Sequence, residues 1–144
     1  MSALYARPAV TQAERQSVEA IMASTGEFLW VESETQLDAV TALSGSGPAY
    51  VFYFLEAMRD AGANMGLASE VALQLAVGTF VGASTLAQRS DDPPQILRER
   101  VTSKGGTTYA ALTAMEAAGM KASFEAALIA AQVRAQELGR EFGK

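Results

Sequence analysis

The chain has 144 residues, 49% of them hydrophobic, and a formal net charge of −5 at pH 7, which is the composition of a globular protein long enough for one domain with a core of its own. Its acidic and basic residues are scattered and form no basic stripe, so we expect no nucleic-acid partner. Because the sequence contains neither cysteine nor histidine, it excludes disulfides, thiolate chemistry, a zinc enzyme and a Ser-His-Asp hydrolase, and we expect no metal site.

The first thirty or so residues predict a strand, a helix and a second strand. Residues 2–6 form a short apolar segment that could be the first strand, and residues 28–31, rich in β-prone side chains, are predicted to be the second. Between them, Thr11 and Glu14 have the spacing of a capping box, and Gly26 is the expected end of the helix. Two strands are too few for an independent sheet. We therefore expect residues 1–35 to be the last part of a domain that begins before this chain.

From residue 34 onward the pattern is helical. A short helix is predicted at residues 37–43, followed by a break at residues 44–47 and a new helix with Pro48 in its first turn. Residues 50–55 are apolar on every side of that helix, which favours burial against a second copy of the chain. The alternative is the central helix of a monomeric bundle.

A long helix is predicted from Ser69 to about Gln88, after a turn bracketed by Gly62 and Gly66. Gly78 and Gly82 lie one turn apart in it, a spacing that lets two helix backbones approach closely. Polar residues within positions 71–88 argue against a membrane span and favour a buried helix. Since residues 1–10 also lack the apolar run of a signal peptide, we expect a cytoplasmic protein without membrane association.

Three further helices complete the prediction. Asp92 is expected to be the N-cap, and Pro93 the first residue, of a helix that continues to Arg100. The next helix begins near Thr108 and ends at Gly119, and the last runs from about residue 121 to 142.

The segment between two of these helices, residues 101–108, is the candidate site. Gly105 and Gly106 permit a sharp turn and the close approach of a ligand. Thr107 and Thr108 follow where the next helix begins, and the free N–H groups of a helix start favour a small anion such as a carboxylate. The alternative is a plain linker that uses glycine for geometry and threonine as an N-cap.

Two blocks resemble the signature segments of pyrroline-5-carboxylate reductases. The first spans residues 38–50 and contains Ser44, Gly45, Ser46, Gly47 and Pro48. The second spans residues 97–112 and contains Val101, Thr102, Ser103, Lys104, Gly105, Gly106, Thr107 and Thr108. The blocks occur in the family's order, and the resemblance covers nearly all of the chain. Lys104 departs from the pattern, which often has proline there, and this loosens the loop without removing a group that the site needs.

The resemblance implies a mainly α fold. Residues 36–144 would form a helical dimerisation and substrate-binding domain that intertwines with a second copy. Residues 1–35 would be the strand-helix-strand remnant of a Rossmann domain. The G-x-G-x-x-G fingerprint of such a domain is not found in the sequence, so the cofactor, NADPH or NADH, would be bound mostly outside this chain. On that basis we expect the chain alone to be inactive.

The resemblance also implies a reaction, the reduction of the cyclic imine Δ1-pyrroline-5-carboxylate to proline by hydride transfer. The expected catalytic residues are Thr108, near the ring nitrogen, and Ser103, beside the substrate. The expected substrate-binding residues are Val101, Ser103, Gly105, Gly106, Thr107 and Thr108, with the amides of Gly105, Gly106 and Thr107 facing the carboxylate. Gly47 and Pro48 are expected near the nicotinamide end of the cofactor.

The family forms intertwined homodimers, and many of its members assemble further into rings of dimers. Two other interpretations remain open. One is a non-catalytic dimerisation module with the same fold. The other is the helical half of a related dehydrogenase that uses a catalytic lysine, although Lys104, Lys121 and Lys144 do not lie in the helix motif typical of that group.

Overall fold

The structure is a computed structural model that describes residues 1–143. It is mainly α-helical, with one short parallel sheet near the start of the chain, as predicted. The strands are β1 (Ser2–Leu4) and β2 (Phe28–Trp30). The helices are α1 (Gln12–Ala23), α2 (Gln36–Val40), a π-helix (Thr41–Gly45), α3 (Gly47–Asn64), α4 (Ser69–Arg89), α5 (Pro94–Arg100), α6 (Thr107–Ala117) and α7 (Met120–Phe142).

The chain divides into two compact units. The first contains Met1–Gly47 and the chain from Ala126 onward, and the second is Pro48–Glu125. The long helices α3 and α7 contribute residues to both.

In the first unit, β1, α1 and β2 form a parallel βαβ arrangement, in which Ser2 lies opposite Phe28. The predicted capping box is confirmed: the Thr11 N–H donates to Glu14 Oε2 over 2.7 Å, and the Glu14 N–H donates to Thr11 Oγ1 over 3.3 Å. Two unpaired donors of the helix start are thereby satisfied together. Parallel strands need such a crossover helix, so this unit has the connectivity of a piece of an α/β sheet.

The predicted break at residues 44–47 is wrong in its form. The chain does not leave the helix but widens into the π-helix, in which the Ser46 N–H donates to the Thr41 carbonyl over 2.8 Å, five residues back. Pro48 then lies in the first turn of α3, as predicted. Hydrophobic periodicity does not predict this change in backbone hydrogen bonding. It indicates which residues share a helix face, but not which carbonyl each N–H group donates to.

In the second unit, α3 and α4 pack through small residues. Gly62 is buried inside α3, and a Cβ added there would lie 2.6 Å from the Cβ of Ala72 in α4. The prediction that Gly62 brackets a turn is confirmed, because its carbonyl accepts from the N–H groups of Met65 and Leu67 over 3.2 and 3.0 Å; its second role, close approach between two helices, was not predicted. Gly66, with φ of +97°, also forms the turn. The start of α7 also packs on α3: the centroid of the Phe124 ring lies 5.9 Å from that of Tyr50 and 5.6 Å from that of Phe54.

Large apolar side chains on α3 and α4 are exposed. Phe52 and Tyr53 are 61% and 70% exposed, so residues 50–55 do not form the centre of a monomeric bundle. The expected burial of α4 is likewise not met within the chain, where its buried residues are Ala72 and Ala76. Around Gly78 and Gly82, no atom of the described residues lies within 4 Å of an added Cβ. By length and composition α4 would suit a membrane crossing, contrary to the sequence-based expectation, although soluble proteins also contain such helices.

Candidate functional site

The loop between α5 and α6 begins at a helix whose start differs from the prediction. The N-cap of α5 is Pro93 and its first residue is Pro94, so the prediction of Asp92 as N-cap is wrong by one residue. The Asp92 carboxylate instead accepts from Arg100 at the other end of α5. Proline fits these first positions because their N–H groups have no partner inside the helix.

At its other end, α5 is closed by hydrogen bonds from the residues that follow it. The Val101 and Thr102 N–H groups donate to the carbonyls of Arg98 and Glu99 over 3.3 and 3.0 Å. The Thr102 hydroxyl adds a bond of 2.6 Å to the Arg98 carbonyl. The loop therefore leaves α5 in a defined direction, with the Val101 side chain 64% exposed.

Gly105 and Gly106 shape the turn in different ways. Gly105 has φ of +75°, a conformation that residues with a side chain rarely adopt. Gly106 has φ of −81°, which any residue tolerates, but a Cβ there would lie 2.6 Å from the Ser103 hydroxyl oxygen. Gly106 is also held by its N–H, which donates to the Ser103 carbonyl over 3.0 Å. The Ser103 hydroxyl can take this position only because residue 106 has no side chain.

The start of α6 is left without a side-chain cap. Gly106 is the N-cap, so the expectation that a threonine is the N-cap is wrong. The first bond back to the cap runs from the Ala110 N–H to the Gly106 carbonyl over 3.1 Å. The amides of Thr107 and Thr108 precede it and have no intrahelical partner. Within residues 1–143 the hydroxyls of these two threonines make no hydrogen bond, whereas the Thr11 hydroxyl caps α1.

The loop consequently presents hydroxyls and amides together at the positive end of a helix. Ser103, Thr107 and Thr108 supply the hydroxyls, and Thr107 and Thr108 the amides. The Gly106 N–H donates inside the turn, contrary to the expectation that it faces the carboxylate. This arrangement suits a small carboxylate, because several donors belong to one helix start and the helix dipole favours negative charge there.

The predicted residues 101–108 form one loop that ends at the start of α6, whereas Gly47 and Pro48 lie at the start of α3. Gly47 belongs to the first unit and Pro48 to the first turn of α3 in the second. An added Cβ at Gly47 would meet no atom of the described residues within 4 Å, so the space beside its backbone is open.

Sequence reasoning missed a cavity of about 160 Å³ between α5 and α6. Its lining includes Arg98, one turn before the loop, and Tyr109, which directly follows Thr108. Both lie inside the block that resembles the family signature, which is the signal that would have drawn attention to them.

Residues 34–138 match the family model described as pyrroline-5-carboxylate reductase dimerisation. The chain belongs to the pyrroline-5-carboxylate reductase family. The pyrroline-5-carboxylate reductase of Pseudomonas aeruginosa is 44% identical over 143 residues, which are 99% of this chain and 52% of that protein.

Solved structures of the reductases agree. A pyrroline-5-carboxylate reductase from Coxiella burnetii superposes with a TM-score of 0.89 at 39% identity, covering 95% of this chain and 51% of that one. A Plasmodium falciparum pyrroline carboxylate reductase with NADP bound superposes with a TM-score of 0.84 at 31% identity, covering 95% and 53%. The chain thus spans about half the length of the reductases that it matches.

Proposed function

We propose that this chain is the dimerisation and substrate-binding part of a pyrroline-5-carboxylate reductase, which reduces Δ1-pyrroline-5-carboxylate to L-proline in the last step of proline biosynthesis. The observation that carries the proposal is the α5–α6 loop, in which the Ser103 hydroxyl lies beside the N-cap Gly106 of an uncapped helix whose first two residues are Thr107 and Thr108. Membership of the family and the similarity to solved reductases support it.

The substrate carboxylate binds at the start of α6. The amides of Thr107 and Thr108 and the positive end of the helix hold its negative charge. Ser103 lies beside the substrate and donates a hydrogen bond to it, while Val101 supplies an apolar wall. The Thr108 hydroxyl lies near the ring nitrogen and donates or relays a hydrogen bond there. The reaction needs placement and the exclusion of water more than a strong acid or base, which agrees with a chain that lacks histidine and cysteine.

The cofactor is NADPH or NADH, and when bound it supplies the hydride. The residues present fit its nicotinamide end: the open space beside Gly47 allows close approach, and Pro48 follows directly. Since the sequence lacks the G-x-G-x-x-G fingerprint, the rest of the cofactor is held mostly by residues outside this chain. Residues 1–35, with their parallel βαβ arrangement, are the adjoining end of that Rossmann domain, and residues 36–144 are the helical domain. The chain by itself is then inactive.

Replacing Thr108 tests the catalytic part of the proposal. In the complete reductase carrying these residues, Thr108→Ala is expected to lower kcat/KM at least about ten-fold, because a hydrogen bond to a charged group is worth about 1.5–3 kcal/mol. Thr113→Ala is the matched control: its hydroxyl bonds to the Tyr109 carbonyl within α6, so turnover should be retained. Unchanged kinetics of Thr108→Ala would remove that role, and a complete protein without turnover would favour the non-catalytic dimerisation module.

A second copy covers the exposed apolar faces of α3 and α4, giving a homodimer that in turn assembles into a ring of dimers. Phe52 and Tyr53 are supported as interface residues by their exposure. Light scattering should find Phe52→Lys shifted towards monomer, while Met65→Lys, an equally large exposed side chain in the turn after α3, leaves the mass unchanged. A wild-type monomer at micromolar concentration would contradict the homodimer. Coverage of α4 by a second copy also accounts for its apolar composition in a cytoplasmic protein.

A further inference from the structure

The short helix α5 is tied across its own length by one ion pair. Arg100 is its last residue, and the Arg100 Nη1 atom lies 2.5 Å from Asp92 Oδ2, in the turn before the helix begins. The Ser90 hydroxyl accepts from the Asp92 backbone N–H over 3.1 Å and donates to Asp92 Oδ2 over 3.4 Å. The pair therefore connects the residues that enter α5 with the residue that leaves it.

Such a connection matters because α5 has seven residues. Helices well below about 12 residues are marginal without outside contacts, since nucleation costs more than a few hydrogen bonds return. The charges are also placed favourably for the helix dipole, with the carboxylate at the N-terminal end and the guanidinium in the last turn. The pair holds α5 in one conformation at the point where the loop begins.

We propose that Asp92 and Arg100 are positioning residues for the substrate loop, a role that rests on the proposed function. Val101 directly follows Arg100, and the loop's direction is set by bonds from Val101 and Thr102 to the carbonyls of Arg98 and Glu99. When α5 frays, those acceptors move and Ser103 moves with them. The pair keeps the loop in the conformation that binds the substrate carboxylate, and Arg100 acts through Asp92 and not by touching the substrate.

This role predicts a particular kinetic signature. If the loop is correctly placed for only a fraction of the time, the apparent affinity for the substrate is the intrinsic affinity multiplied by that fraction. The bound complex then reacts as before. An exposed ion pair of this kind supports an effect of about three-fold. We therefore expect Arg100→Gln and Asp92→Asn in the complete reductase each to raise KM for pyrroline-5-carboxylate by up to about three-fold at unchanged kcat.

The double variant and a conservative variant separate positioning from other roles. Because both residues act through one contact, Asp92→Asn combined with Arg100→Gln should raise KM no more than either single variant does. Arg100→Lys keeps the charge and should recover part of the loss. Arg59→Gln is the matched control, since Arg59 pairs with its neighbour Asp60 and connects no two segments.

Hydrogen exchange provides a readout independent of turnover. The amides of Thr102 and Gly106, which bond to Glu99 and Ser103, should exchange about three-fold faster in Arg100→Gln and as in wild type in Arg59→Gln.

Three results would overturn the inference: unchanged KM and exchange in both single variants, multiplied effects in the double variant, or a large loss in Arg100→Gln alone. The last would mean that Arg100 binds the substrate itself. Each applies to a wild-type protein that turns over pyrroline-5-carboxylate, whereas a wild-type protein without turnover would count against the proposed function instead.

Discussion

The two neighbouring glycines of the α5–α6 loop allow one sharp test of the site. Gly106→Ala adds a Cβ 2.6 Å from the Ser103 hydroxyl oxygen and 3.2 Å from its carbonyl oxygen. The carbonyl is held by the Gly106 N–H, so the hydroxyl is the group that must move. Gly105→Ala adds a Cβ into open space, with nothing within 4 Å among residues 1–143, but it places alanine at φ of +75°. One substitution displaces a functional group, and the other strains the backbone.

The expected stability changes are similar. For Gly106→Ala, displacing Ser103 costs about 0.5–1.5 kcal/mol and exchanging a glycine cap for alanine costs some tenths more. Alanine also lowers the conformational entropy of the unfolded chain, which favours the folded state by about 0.4–1 kcal/mol and offsets part of these costs. For Gly105→Ala, left-handed backbone costs about 1–2 kcal/mol against the same offset. Both variants should therefore lose about 1 kcal/mol in denaturant titrations.

The expected kinetic changes differ. Ser103 is proposed to hydrogen-bond the charged substrate, and losing such a bond corresponds to about 1.5–3 kcal/mol. In the complete reductase carrying these residues, kcat/KM of Gly106→Ala should therefore fall roughly ten- to hundred-fold. Gly105→Ala in the same reductase should lose less than Gly106→Ala, because it displaces no side chain. In a Ser103→Ala background, Gly106→Ala should cost little further. Equal losses in the two glycine variants, or full activity of Gly106→Ala, would refute this account of Ser103.

Two further predictions concern the rest of the chain. Gly62→Ala should lower the free energy of unfolding by about 1–2 kcal/mol, because the added Cβ overlaps Ala72. Gly139→Ala is the control: it adds a Cβ at a helical position with open space and should be neutral or stabilising. An equally stable Gly62→Ala would mean that α3 and α4 can separate without cost. The Thr11 backbone N–H and, to a smaller extent, the Thr11 hydroxyl donate hydrogen bonds that lower the pKa of the Glu14 carboxyl below the ordinary 4.5. The hydrogen-bonded carboxylate therefore stabilises the fold above that pH. This stabilisation is lost as the pH falls through the lowered pKa. The stability difference between wild type and Glu14→Gln should consequently shrink in acid, and a constant difference from pH 7 to 3 would contradict it.

Where a local rule determines structure, the sequence predicted it. Thr11 and Glu14 form the capping box that their spacing indicates, Pro48 lies in the first turn of α3, and Gly119, with φ of +64°, follows the end of α6. Each of these depends on residues within one turn of one another, which is the range that a sequence pattern covers.

The features that were missed or wrongly predicted depend on more distant partners. Gly62 takes part in the predicted turn, but its contact with Ala72 on another helix could not be predicted from the local pattern. Asp92 is a good N-cap by type, but Arg100, eight positions later, takes its carboxylate. In the site, the order of glycines and threonines located the loop, whereas only the structure revealed that Gly106 is the cap and leaves the Thr107 and Thr108 hydroxyls unpaired.

The small core described above has a consequence for how the protein is made. Among residues 1–143 the buried apolar side chains are those of three alanines, Ala42, Ala72 and Ala76, and methyl groups contribute little hydrophobic free energy. If a second copy supplies the remaining burial, a newly synthesised chain completes its folding only when it meets another. Its melting temperature then rises with protein concentration. Exchange of protomers between assembled dimers would require both chains to unfold, so wild-type and defective chains made together would remain in the pairs in which they first folded.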